Sequence, residues 1–217
     1  MQYFRIFLIL LSTASTKLAA QDFSGYKNIY NAGRSLEQSG IIGQLDEHVF
    51  RVADSLDQHA PIGYFDKSGD YLKNQKYNEA SFLYFLGTSR YRYYNASNPQ
   101  YQESDDGALL GSMLVSMGEP INTYLKLNID NFISILESAL LYYQSKDYNY
   151  YSKEKDLEKY EMQVRIKSNT IEDLKTNKVK YERKWKKESK KMEKLVDQAI
   201  KDSYKFEKMA DFQSNAK

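Results

Sequence analysis

Glu103, Asp105 and Asp106 place three carboxylates within four residues. Acid and base roles need two such groups in different environments facing one bond. The cluster is therefore the candidate reaction centre, and a hydrolase or lyase acting on cell-wall or extracellular polymer is the enzyme it would serve. The same acids also fit a helix start at Ser104-Asp105-Asp106-Gly107, where carboxylates satisfy free N–H groups and face the positive end of the dipole. Capping accounts for them more simply. His48 and His59 are the only imidazoles. Asp46, Glu47 and His48 are consecutive, so on a helix they diverge and cannot converge on one ion, and neither histidine has a partner spaced for base catalysis. The sequence has no cysteine, which removes disulfides, thiolate zinc sites and cysteine nucleophiles. It also lacks a Gly-rich phosphate loop, a Gly-x-Ser-x-Gly elbow and a His-Glu-x-x-His pair. Aligning Gly107 with the glycine of a calcium loop puts Gln102 and Met113 at the first and last ligand positions, so that pattern fails. The expectation is no metal, no cofactor and no reaction centre.

Arg90-Tyr91-Arg92-Tyr93-Tyr94 points to recognition instead, because arginine and tyrosine are the residues from which interface hot spots are built. Arg90, Tyr91, Arg92 and Tyr94, with Asp105 and Asp106 nearby in sequence, are the candidate binding residues. The competing reading is structural. Tyr77, Tyr84 and Tyr91 recur every seven residues and would form one core stripe, with Arg90 or Arg92 paired internally to Asp105 or Asp106.

Apolar residues three and four apart, with almost no period-2 alternation, predict an all-α fold. The chain has 217 residues, 41% hydrophobic and 28% charged, with three prolines. That suits one globular domain carrying a helical extension. Residues 1–20 read as a signal peptide: Arg5, the apolar stretch Ile6 to Leu11, then small and polar residues ending at Ala20, after which cleavage is expected. A periplasmic or secreted protein follows, with no membrane-spanning segment once the signal is removed. Residues 21–151 form a helical body. Its expected helices run from Asp22 to Ser39 and from Gln44 to Gln58. A loop is expected over Asn95 to Glu103. An apolar helix over Ala108 to Met117 should be central, with Gly107, Gly111 and Gly118 as a bare packing stripe, and one helical region should run from Pro120 through Tyr143. Tyr64, Tyr71, Tyr77, Ala80, Tyr84 and Gly87 fall on the aromatic and small positions of a repeat unit, so residues 64–94 resemble one tetratricopeptide repeat. That resemblance implies a close helix pair in a repeat-like body and a groove that holds a peptide.

Residues 152–217 contain neither Gly nor Pro, and with Leu157 as position a, twelve of sixteen a and d positions are apolar. This predicts a long heptad helix, laid on the body or forming a homo-oligomer, or a hairpin broken at Ser168-Asn169-Thr170. The body after residue 20 has a net charge of −6 and the tail +6, so the two are electrostatic complements. Acids interspersed among the tail's bases argue against a nucleic-acid partner. The leading expectation is an exported, non-enzymatic helical protein that binds a protein or peptide, such as an inhibitor or immunity protein of a toxin. A hydrolase or lyase, and an envelope scaffold or chaperone that oligomerises through the tail, are the alternatives.

Overall fold

The computed structural model describes residues 23–101 and 105–215, with side chains described for 23–101 and 107–205. The expected signal segment, Glu103, and the side chains of Asp105 and Asp106 lie outside the described residues. Every regular element among the described residues is helical.

The first helix, α1, spans residues 23–39 and stops at Gly40, whose φ of +66° turns the chain while its N–H returns to the Leu36 carbonyl at 3.1 Å. Helix α2, Glu47–Leu56, starts at Asp46, whose carboxylate accepts the His48 N–H at 2.9 Å. Helices α3 (Ile62–Lys73) and α4 (Tyr77–Ser97) form a tight antiparallel pair, the one that the repeat resemblance covers. Their closeness depends on small residues. Ala80 is fully buried, Ser68 donates to its carbonyl at 2.8 Å, and a Cβ on Gly87 would lie 2.4 Å from that of Tyr64.

The central helix is α4, not the Ala108 to Met117 segment. Fourteen of its 21 residues are buried, and it touches α3, α6, α7 and α8. Its polar residues hide this in the sequence. Ser81, Thr88 and Ser89 each donate a hydroxyl to the carbonyl four residues earlier, at 2.7, 2.7 and 3.1 Å. They are therefore buried with their hydroxyls satisfied, which leaves Arg92 as the one exposed residue of α4. Helix α4 also takes in Asn95 to Ser97, so the expected loop reduces to a short stretch that includes one 3-10 turn at Pro99–Tyr101. Helix α5, Asp105–Ser116, lies at the periphery. Leu109 and Val115 are exposed, and a Cβ on Gly111 would meet open space, so that glycine is not a packing surface. Gly118 is one, because a Cβ there would sit 2.5 Å from the Tyr84 hydroxyl.

The region expected as one helix from Pro120 to Tyr143 is two. Helix α6 covers Gly118–Leu125, and α7 covers Ile129–Ser145 behind the Asn128 cap, which accepts the Asn131 N–H at 2.9 Å. Helix α8, Leu157–Thr176, packs on α7 and α4. Ser168, Asn169 and Thr170 remain helical within it. The break falls at Asn177, whose N–H caps α8 on the carbonyls of Asp173 and Lys175, and α9 then runs Lys178–Asn215. The heptad positions Tyr160, Ile171 and Leu174 on α8 and Trp185 on α9 are buried, but further along α9 the heptad positions Met192 and Leu195 are exposed and Val196 is buried instead. Body and tail meet through opposite charges: Lys175 with Glu137 at 2.6 Å, Lys178 with Asp130 at 2.6 Å, Lys27 with Asp197 at 2.7 Å, and Arg34 with Glu193. None of the described helices is long and apolar enough to cross a membrane.

The two kinds of glycine separate in a thermal melt. Gly87→Ala, forced against Tyr64, should destabilise by about 1–3 kcal/mol through overpacking. Gly111→Ala, in open helix, should stabilise by about 0.5–1 kcal/mol.

Candidate functional site

The polar centre of the body is a buried ion pair. Arg90 is 0% exposed, and its Nε and Nη2 donate to the two Asp57 oxygens at 3.0 and 3.1 Å; Nη2 also reaches the Lys146 carbonyl at 2.9 Å. Tyr64 donates to Asp57 at 2.7 Å and Tyr142 to Asp54 at 2.8 Å, with the second Asp57 oxygen 3.3 Å from Tyr142. The guanidinium carbon lies 4.7 Å from the centre of the Tyr143 ring and 5.1 Å from that of Tyr148, a cation held between two aromatic faces. Burial raises the Asp57 carboxyl above its ordinary range, against the pull of Arg90 and the two phenols. Burial likewise pushes the Tyr64, Tyr143 and Tyr148 phenols far above 10. A pair that desolvation opposes this strongly adds little net stability, but either member alone would be an unpaired buried charge.

From this centre a continuous file of tyrosine rings leads to the surface. Tyr143 stacks on Tyr160 at 4.5 Å, Tyr160 meets Tyr93 at 5.6 Å, and Tyr93 meets Tyr151 at 5.5 Å. Tyr151 packs edge-on against Tyr94 at 5.2 Å, and Tyr94 stacks with Tyr101 at 5.6 Å and leans on Tyr150 at 5.7 Å. The rings come from the end of α4, the 3-10 turn, α7, the α7–α8 connection and α8. That connection is tied down by Asp147, which accepts the N–H groups of Tyr148 and Lys153, and by the Tyr150 N–H on the Asp57 carbonyl at 2.8 Å. Tyr94, Tyr101 and Tyr151 are half-buried and Tyr150 is 44% exposed, so the file ends in an open tyrosine platform.

The candidate binding run is divided by the helix that carries it. Arg90 is in the core, paired to Asp57, and cannot offer its guanidinium to a partner; the expected pairing with Asp105 or Asp106 involves side chains outside the described residues. Tyr91 is buried with Tyr77 and Tyr84 along one stripe. Arg92 is exposed, but two residues from Tyr94 it lies about 200° around the helix, away from the platform. Only Tyr94 joins the surface cluster. Sequence reasoning missed Asp57, Tyr101, Tyr150 and Tyr151. The density of tyrosines between 142 and 151 was the available signal, whereas nothing local marks Asp57 as the partner of a residue 33 positions away.

On the other side of α4, the amine of half-buried Lys167 lies 4.7 Å from the centre of the Phe85 ring, with no hydrogen bond or ion pair to a described residue. Burial presses its amine down to about 7, and the charge of Arg92 adds to the effect. His48 and His59 are both exposed, and no group of three His, Asp or Glu that could hold a metal ion occurs among the described residues. Comparison with family models, with curated proteins and with solved structures finds no match for the chain.

Arg90→Met, which strands Asp57, should cost about 3–5 kcal/mol in urea unfolding. Lys167→Met should have the opposite sign. The native amine is neutral above pH 7 while the unfolded one stays charged to about 10.4. Wild-type stability should therefore rise between those values. The melting temperature of Lys167→Met should exceed wild type at pH 6 and approach it near pH 10.

Proposed function

We propose that the chain is an exported, non-enzymatic binding protein whose repeat-like helical body recognises a protein or peptide partner, in the manner of an inhibitor or immunity protein. The observation that carries this reading is the open platform of Tyr94, Tyr101, Tyr150 and Tyr151, continuous by ring contact with the buried Arg90–Asp57 pair. Tyrosine offers a large contact area with a hydroxyl at its tip and few rotatable bonds, so little entropy is lost when a partner covers it. Rings already packed against one another are fixed before the partner arrives, which lowers the ordering cost of association. Recognition at such a surface proceeds by burying the exposed ring faces while the hydroxyls pair with the partner's backbone.

Capture from envelope extract tests this. Tyr101→Ala/Tyr150→Ala should reduce the yield of specific partners about tenfold, the size expected when hot-spot rings are removed. Arg92→Ala, on the far side of α4, should leave the yield intact. Equal recovery by the tyrosine variant and wild type would refute the platform.

A further inference from the structure

A second surface lies between α1, the α6–α7 connection and α9, where a cleft of about 690 Å³ opens with Trp185 and Leu127 in its wall. Its charges divide unequally once internal pairs are removed. Asp130 pairs with Lys178 at 2.6 Å, Glu182 shares that one amine at 3.9 Å, and Glu193 is held by Arg34 while Lys27 pairs more closely with Asp197, at 2.7 Å, than with Glu193, at 3.7 Å. The side chains of Lys126, Arg183, Lys186 and Lys190 also line the cleft, are exposed, and form no ion pair or hydrogen bond with a described residue, although Lys126 acts on the Glu119 carboxyl; the lining acids that oppose them are Glu37, likewise unpaired among the described residues, and the shared Glu182. The excess is positive, and it is ordered. Arg183, Lys186 and Lys190 form one stripe along α9, spaced by about 4.5 and about 6 Å at about 1.5 Å per residue. The whole stripe matches the reach of about three extended residues at about 3.3 Å each.

We infer that this cleft binds a short acidic peptide segment, its carboxylates on Arg183, Lys186, Lys190 and Lys126 and its apolar atoms against Leu127 and the Trp185 edge. Charge complementarity selects the occupant: four cations with no ion pair to a described residue converge on a wall that is partly apolar, which suits a chain carrying both carboxylates and hydrocarbon better than a bare inorganic anion. The cleft shares no residue with the tyrosine platform, so the inference stands or falls separately from the binding role proposed above.

Trp185 is the only tryptophan in the chain and reports on the cleft directly. The full chain is titrated with an acetylated hexaglutamate peptide at about 50 mM salt, where surface charges are weakly screened, and Trp185 fluorescence is followed. Saturable binding is expected. Arg183→Ala/Lys186→Ala/Lys190→Ala should weaken it about tenfold or more. Lys187→Ala/Lys191→Ala/Lys194→Ala removes the same charge from outside the cleft and should leave affinity within about twofold. Glu37→Gln, a single exposed change that removes the repelling acid, should tighten binding. Equal loss in the two triple variants would show general attraction to a basic helix and overturn the inference. So would the absence of any titration, or tighter binding of tripolyphosphate than of the peptide with the same dependence on the three cations. Loss of peptide binding in the tyrosine-platform variant would also overturn it, by placing the peptide elsewhere.

Discussion

A guanidinium sealed among tyrosines is the constraint around which the body is arranged. Arg90 is fully buried on the central helix, and its charge must be answered within hydrogen-bond reach. Asp57, just past the end of α2, supplies the countercharge; Tyr64 of α3 and Tyr142 of α7 hydrogen-bond the carboxylates there; Tyr143 and Tyr148 supply ring faces. These groups come from the end of α2, from α3, α4 and α7 and from the loop after α7, so satisfying one charge fixes the mutual position of four helices and that loop. Hydrophobic contact alone tolerates sliding, whereas a two-point arginine–carboxylate fork does not. With desolvation opposing the pair, its contribution is to geometry more than to net stability.

The surface platform inherits its order from that arrangement. The Asp57 backbone carbonyl accepts the Tyr150 N–H, so the residue that pairs with Arg90 also holds the loop that carries the exposed ring. Core and platform are thereby one mechanical unit. The tail is attached differently. Its contacts with α1 and α7 combine Trp185 tilted against Phe132 with ion pairs at the rim, several of them half exposed. Such pairs orient one element against another but contribute little each, and the cleft lies between the tie of Lys178 to Asp130 and the ties of Glu193 and Asp197 to α1.

Much of the fold was readable in the chain because it is local. The α1 boundary followed from Gly40, the α3–α4 pair from small residues at helical spacing, and the all-α class from periodicity. Helix α5 misled because apolar composition states only that a face could be buried, and nothing among the described residues covers its outer side. Helix α4 misled in reverse: its serines and threonine look solvent-facing until their hydroxyls are seen bonded to their own backbone. The heptad in residues 152–217 held as register on α8, where Tyr160, Ile171 and Leu174 are buried, and failed further along α9, where Met192 and Leu195 are exposed.

For the candidate site, the composition of the chain determined the chemistry available: many tyrosines, arginines among them, no thiol and two isolated imidazoles. Which of those groups are spent in the core and which reach the surface was decided only by tertiary structure. Arg90 and Tyr94 are four residues apart in one short run, yet one is fully enclosed and the other opens onto the platform, because burial depends on which helices arrive from elsewhere in the chain. Sequence specifies side chains and their angular positions on each helix; long-range packing decides which of those angles is covered, and that contact information lies in no local window.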